Sequence, residues 1–192
     1  ITYTYTADGL PELVTAYAGT AVVSANLFQY DGLRHLTKEY QSHGVAIDPE
    51  SPDPNVPAIT YAWDTSPQGS GTYNYDRLVG MTYPTRPETG ARSLGFNYGV
   101  SAGDVDSLLN RITAIVRNPL GTPVTEAAYT YMGTSRRVGV TLGNGIAQSF
   151  ADASDNATGL DRFGRVKDLH FKDGVNTVHQ YQYGYDISGN RT

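Results

Sequence analysis

The sequence predicts an all-β protein made of antiparallel hairpins, with at most one short helix. Aromatic residues recur at every second position, and Asp-Gly or Asn-Gly pairs separate the segments that carry them. Side chains two positions apart share one face of a strand, whereas on a helix they point about 200° apart. Asp-Gly and Asn-Gly pairs tolerate the positive φ of tight hairpin turns.

The alternating aromatic residues define the predicted strands. The residues between them are mostly small or polar, which is the pattern of a half-buried sheet. We expect the aromatic rings to fill the core of that sheet. The set comprises Tyr3, Tyr5, Tyr73, Tyr75, Phe96, Tyr98, Tyr129, Tyr131, Tyr181, Tyr183 and Tyr185.

The Asp-Gly and Asn-Gly pairs define the predicted turns. We expect type I′ turns at each of them, because this turn needs positive φ at both central residues. The clearest hairpin joins strands over 166–171 and 177–181 through Asp173-Gly174. The pairs stand at 8–9, 31–32, 144–145 and 173–174.

Two segments depart from the strand pattern. Leu108, Leu109 and Ile112 have helical spacing, which predicts a short helix near residues 104–116. Residues 48–57 hold four prolines and several acidic residues, so they are expected to form an exposed loop rather than a helix or central strand.

The composition excludes several classes of function. The 192-residue chain has no cysteine, so disulfides, thiolate catalysis and Cys-based metal centres are excluded. Nineteen acidic and fourteen basic residues give a net charge of −5, which disfavours binding to nucleic acids and anionic membranes. No apolar run reaches the roughly 18 residues of a membrane-spanning helix. The length fits one domain.

A short motif recurs along the chain: Tyr-Asp, a turn with Gly or Asn, then Arg and an apolar residue. Its aspartates stand at 31, 76, 106, 161 and 186, with uneven steps of 45, 30, 55 and 25 residues, so insertions are expected to interrupt a two-strand unit. We expect the arginines to pair with the turn aspartates. The structural turn residues are Tyr30, Asp31, Gly32, Arg34, Tyr75, Asp76, Asp161, Gly164, Arg165, Tyr185, Asp186, Gly189 and Arg191.

Segments 27–34, 159–166 and 182–191 resemble the YD-repeat, or Rhs-repeat, family. Their residue pattern is most similar to that of Rhs-like proteins of environmental bacteria such as planctomycetes. The resemblance implies a β-hairpin array that spirals into a solenoid or shell-like curved sheet within very large secreted or surface proteins. Family shells often enclose a toxin released by a self-cleaving aspartyl core. That core's Asp-Pro-x-Gly stretch has no counterpart here, so neither self-cleavage nor encapsulation is expected.

A serine hydrolase is the weakest of the candidate functions. Residues 99–103 match the G-x-S-x-G pattern around Ser101, and Asp161 with His170 or His179 supplies the chain order of a triad. The sequence lacks the parallel βαβ units and the oxyanion loop of that fold. We therefore interpret the match as a surface turn, and predict no enzyme activity.

No cofactor or metal site is predicted. No spacing links the four histidines into a ligand set. A polar stretch alternates like the start of a calcium loop but lacks the required Gly and Glu; it comprises Asp152, Ser154, Asn156 and Thr158. Asn156 and Asn190 begin N-x-[ST] sequons and are candidate glycosylation sites in an extracellular setting.

The favoured function is a non-enzymatic segment of an extracellular or cell-surface shell, stalk or filament. The alternative is a carbohydrate-binding surface module, in which exposed tyrosines stack on sugars. Residues 1–9 indicate a strand entering a turn, and residues 185–192 a turn without its outgoing strand. We therefore expect residues 1–192 to be one segment that pairs with flanking repeats, or that joins other copies head to tail through sheet edges.

Overall fold

The computed structural model describes residues 1–64, 76–85, 90–99, 101, 103–118, 122–150 and 158–192. These residues contain thirteen β-strands and one single-turn helix. The chain divides into two compact units, residues 1–95 and 96–192. The all-β, antiparallel fold class predicted from the alternating residues is confirmed.

The first unit is an antiparallel meander in which each strand pairs with the one before it. The last of its strands, β7, ends just inside the second unit. The strands are β1 (Thr2–Tyr5), β2 (Pro11–Ala18), β3 (Ala21–Tyr30), β4 (Leu36–His43), β5 (Ala58–Asp64), β6 (Arg77–Thr82) and β7 (Ser93–Asn97).

The second unit begins with the helix and continues as a second antiparallel meander. Its elements are α1 (Val105–Leu108), β8 (Ala114–Arg117), β9 (Val124–Met132), β10 (Arg136–Leu142), β11 (Ile146–Ser149), β12 (Asp168–Asp173) and β13 (Asn176–Gln182). Strands β12 and β13 form the hairpin predicted around Asp173-Gly174.

The core of the first unit is small and aliphatic. Leu27 of β3 lies in register between Leu13 of β2 and Tyr40 of β4, and is 1% exposed. Ile47, from the connection between β4 and β5, packs on this cluster, and Val56 of the same connection lies against it. The loop predicted over residues 48–57 is exposed at its acidic residues, and through Val56 it also covers part of the core.

The expectation that tyrosine rings fill the core is wrong. Tyr40 is the one tyrosine of the described residues that is buried, at 8% exposure, whereas Tyr3 and Tyr5 are 57% and 59% exposed. Among the described residues of the second unit, the buried hydrophobic side chains are Val116, Ala127 and Val138. A tyrosine hydroxyl needs a hydrogen-bond partner when it leaves water, and aliphatic side chains do not supply one.

The helix predicted over 104–116 is one turn long. Its N-cap Asp104 accepts hydrogen bonds from the Asp106 and Ser107 N–H groups. Asn110, with a φ of 53°, turns the chain out of the helix, and Val116 lies in β8. The prediction is wrong beyond Leu108. No helix of the described residues is long and apolar enough to cross a membrane.

Candidate functional site

One five-residue turn recurs four times in the described chain, at 6–10, 31–35, 161–165 and 186–190; we call these the five-residue turns. In each, the first N–H donates to the fifth carbonyl at 2.8–3.0 Å, and the fourth N–H donates to the first carbonyl at 2.8–3.0 Å. The fourth residue has a φ between 65° and 90°. This geometry is a type I turn followed by a left-handed residue, a three-residue hairpin loop.

The first side chain of each five-residue turn caps its backbone. Asp31, Asp161 and Asp186 each accept, on Oδ1, the N–H of the fifth residue at 2.8–2.9 Å. In the first turn Thr6 Oγ1 accepts the N–H of Leu10 at 3.1 Å. A short oxygen-bearing side chain reaches the backbone a few residues on, which explains why aspartate begins the repeated motif. The Thr6 copy was missed because threonine replaces aspartate.

Hydrogen bonds keep these carboxyl groups ionised. Partial burial alone would raise the pKa of Asp31 and Asp161, but bonds from His35 and from Arg165, respectively, outweigh it and lower each pKa. The side-chain and backbone bonds from Asn190 lower the pKa of Asp186. The aspartate caps therefore stay charged at moderately acidic pH.

In the three turns that begin with aspartate, the fifth side chain binds the second carboxylate oxygen. His35 Nδ1 lies 2.9 Å from Asp31 Oδ2, and Arg165 Nε donates to Asp161 Oδ2 at 2.6 Å. Asn190 Nδ2 donates to Oδ2 of Asp186 at 2.9 Å. Each aspartate therefore closes its own turn with both oxygens.

The predicted pairing of arginines with turn aspartates holds for some arginines. Arg165 pairs within its turn, and Arg111 forms an ion pair with Asp106 across a turn that is one residue longer. Arg34 instead stands at the fourth position, with a φ of 70°, and donates to the Asp8 carbonyl at 3.2 Å. Arg191 lies 4.3 Å from the centre of the Tyr183 ring.

An aromatic side chain from later in the chain donates to the carbonyl of the residue that follows such a turn; we call this bond the aromatic staple. Three staples span 19 residues and one spans 27. The staples run from Tyr30 to Pro11 at 2.9 Å, from Trp63 to Leu36 at 2.9 Å, from Tyr131 to Ile112 at 2.6 Å and from Tyr185 to Val166 at 2.8 Å.

The last turn residue also packs on the staple ring. His35 stacks on Trp63 with centroids 4.4 Å apart and an interplanar angle of 17°. The Arg165 guanidinium lies 4.3 Å from the centre of the Tyr185 ring, a cation–π distance. The same side chain thus contacts the carboxylate of its own turn and the ring of the next repeat. This arrangement joins consecutive hairpins.

The remaining turn predictions have mixed outcomes. Tyr75 lies outside the described residues, and Asp76 precedes β6 with a φ of 53°. The type I′ prediction at 31–32 is wrong: Gly32 has no positive φ, and the left-handed residue is Arg34. At 8–9, 144–145 and 173–174 the type I′ prediction is also wrong, because only the glycine of each pair has a positive φ. Gly164 and Gly189 hold the left-handed fourth position.

The residues of the serine-hydrolase candidate, which are Ser101, Asp161, His170 and His179, all lie within the described residues. Ser101 lies in an exposed bend, and its immediate neighbours lie outside the described residues. His170 Nε2 is 3.0 Å from Asp168, and His179 packs edge-on against a tyrosine. The described part of the chain contains no group of three or more side chains suited to a metal ion.

The two predicted glycosylation sites differ in what the structure describes. Asn156 lies outside the described residues, as do Asp152 and Ser154 of the polar stretch. The Asn190 side-chain amide donates to Asp186, and a glycan on that nitrogen would leave one N–H for this bond.

A comparison with known protein families found no match, and a comparison with curated proteins found none. The chain is similar in fold to one in a crystal structure of TcdB2-TccC3-TEV, with a TM-score of 0.54 and 10% identity over 99% of this chain and 10% of that chain. A chain of the Photorhabdus luminescens Tc holotoxin pore matches with a TM-score of 0.32 and 13% identity over 98% and 11%. The chain spans about a tenth of their length, and the first match shows the fold alone.

Proposed function

We propose that the chain is a non-enzymatic structural segment of an extracellular or cell-surface YD-repeat wall: a shell, a stalk or a filament. The observation that carries this proposal is the five-residue turn joined to the next repeat by an aromatic staple. Turns 6–10 and 31–35 are 25 residues apart, and so are turns 161–165 and 186–190. A repeated device that locks strand register serves a load-bearing sheet.

The physical role of the staple is to prevent slippage. A shift of one residue between paired strands moves every side chain to the opposite face of the sheet. The Tyr185 hydroxyl reaches one carbonyl, that of Val166, so a slipped register would break this bond and the cation–π contact with Arg165. The staples thus oppose a register shift between paired strands, which the backbone hydrogen bonds of polar strands alone would tolerate because they can re-form one position along.

The proposed wall extends beyond one segment. The chain with which it shares its fold is about ten times as long. Tyr5 precedes Thr6 as Tyr30 precedes Asp31, so it stands at a staple donor position, and it is 59% exposed. At the other end, Arg191 follows the last five-residue turn, where its carbonyl would accept a staple. These positions suit joining by flanking repeats or by further copies of the chain.

Association of the purified chain tests head-to-tail joining. We expect larger species with rising concentration in sedimentation velocity, and extended particles in negative-stain images. Tyr5→Phe should weaken the association because it removes one staple donor, whereas Tyr3→Phe, equally exposed on the same strand, should not. Monomers at every concentration would refute joining between copies and leave flanking repeats of one longer chain as the proposed partners.

A carbohydrate-binding surface is the second candidate, favoured by one observation. The rings of Tyr181 and Tyr183 are 6.3 Å apart with an interplanar angle of 2°, and β13 is exposed along its length. Such parallel rings offer flat apolar surfaces with hydroxyl groups at their rims. Glycan-array binding that is lost in Tyr181→Ala and kept in Tyr3→Ala would support this function. Labelling of Ser101 by a fluorophosphonate would instead contradict the absence of catalysis.

A further inference from the structure

The turn at 31–35 differs from its counterparts in having a titratable base at its fifth position. The equivalent residues are Leu10, Arg165 and Asn190, none of which changes charge near neutral pH. His35 Nδ1 lies 2.9 Å from Asp31 Oδ2, and its Nε2 lies 3.1 Å from Asp76 Oδ1. Both ring nitrogens therefore face carboxylates.

The number of protons on the ring decides how many carboxylates it can hold. A neutral imidazole has one N–H, so it donates to one carboxylate, and its other nitrogen presents a lone pair to the second. An imidazolium donates to both. The two contacts of His35 coexist as hydrogen bonds only in the charged form.

We propose that His35 is a pH-dependent clamp within the first unit, in which the imidazolium bridges Asp31 of the turn and Asp76 at the start of β6. The ring stacks on Trp63 of β5. The clamp thus gathers residues from three places in the chain. When His35 loses its proton, the bridge keeps one carboxylate and loses the other.

The charged surroundings favour the proton. Asp31 faces His35 from its own turn and Asp76 faces it from the start of β6, while Trp63 carries no charge. Arg34 donates to the Asp8 carbonyl. A further ion pair, Arg77 with Asp64 at 3.7 Å, joins the ends of β6 and β5 beside this cluster.

The direction of the pH effect follows from these contacts. The hydrogen bond to Asp31 raises the pKa of His35 above its usual value, the contact with Asp76 adds to this, and partial burial opposes it. A raised pKa in the folded state means that the stabilisation is complete below the unfolded pKa of about 6.5. It is lost as the pH rises through the folded pKa.

Histidine NMR titration of the whole chain tests the clamp. We expect the His35 ring to titrate above pH 6.5, and Asp76→Asn to lower that value because one carboxylate is removed. His35→Arg identifies the resonance by its loss and supplies a fifth residue with permanent charge, as in turn 161–165. The urea midpoint of the wild type should fall between pH 6 and pH 8.5 relative to that of His35→Arg.

Two results would overturn the clamp: a His35 pKa at or below 6.5, or a pKa unchanged by Asp76→Asn. A reciprocal variant keeps the test informative if His35→Arg folds poorly. Arg165→His should bring pH dependence to turn 161–165, because the new ring faces Asp161 in the same geometry. All these readouts are made on the unassociated chain, so they are independent of the proposed wall function.

Discussion

Removing one staple hydroxyl isolates the contribution of the bond between repeats. Tyr131→Phe deletes the hydroxyl that donates to the Ile112 carbonyl at 2.6 Å, but keeps the ring over which Arg111 lies at 4.8 Å. A hydrogen bond of this kind contributes about 0.5–1.5 kcal/mol net, because water replaces the lost donor when the carbonyl is partly exposed. We expect a destabilisation of that size.

Urea unfolding measures the effect, and thermal unfolding gives a second reading. For a chain of this length, a loss of that size corresponds to a fall of about 1–6 °C in Tm. The matched control is Tyr3→Phe, whose exposed hydroxyl has no staple acceptor in the described chain. If Tyr131→Phe and Tyr185→Phe unfold at the same urea concentration as this control, the staple makes no net contribution and the reasoning fails.

Three further perturbations probe the turns, the core and the caps by chemical unfolding. Gly9→Ala, at a φ of 79° with open space around it, should cost about 1–2 kcal/mol, whereas Gly32→Ala, with no positive φ, should cost less. Leu27→Ala should cost about 2–5 kcal/mol, against a change within about 0.5 kcal/mol for the exposed Val175→Ala. The pKa of Asp161 is lowered in the folded state, so the stabilisation by its carboxylate should be complete above about pH 4. It should be lost as the pH falls through the pKa of the folded state. Asp161→Asn should therefore reduce the loss of stability at acidic pH.

The sequence patterns predicted correctly the features that depend on residues close together in the chain. The hairpin at 173–174 follows from alternating residues and a turn glycine, both within a dozen positions. The prediction of a helix over 104–116 was wrong because the spacing of apolar residues does not show where the backbone leaves the helix. Asn110 adopts a left-handed φ, and the next residues extend into β8.

The staples were missed because each joins residues that are distant in sequence. The tyrosines were expected to fill a core, but three of their hydroxyls instead donate to a backbone carbonyl beside a turn. Trp63-Asp64 takes the place of Tyr-Asp, with the indole N–H as the donor, so a search for tyrosine alone passes over it. The spacing of 19 residues from Pro11 to Tyr30 was available in the sequence as a signal.

The long step that follows Asp31 contains one repeat whose staple donor is Trp63. The staple from Trp63 spans 27 residues instead of 19, and its span includes the connection 44–57 between β4 and β5. The extra residues lie in this connection, while the turn and the staple keep the geometry of the shorter copies. Because register is set where the ring meets the carbonyl, the connections can vary in length without moving the paired strands. A repeat built in this way tolerates insertions that hide its period from a search at fixed spacing.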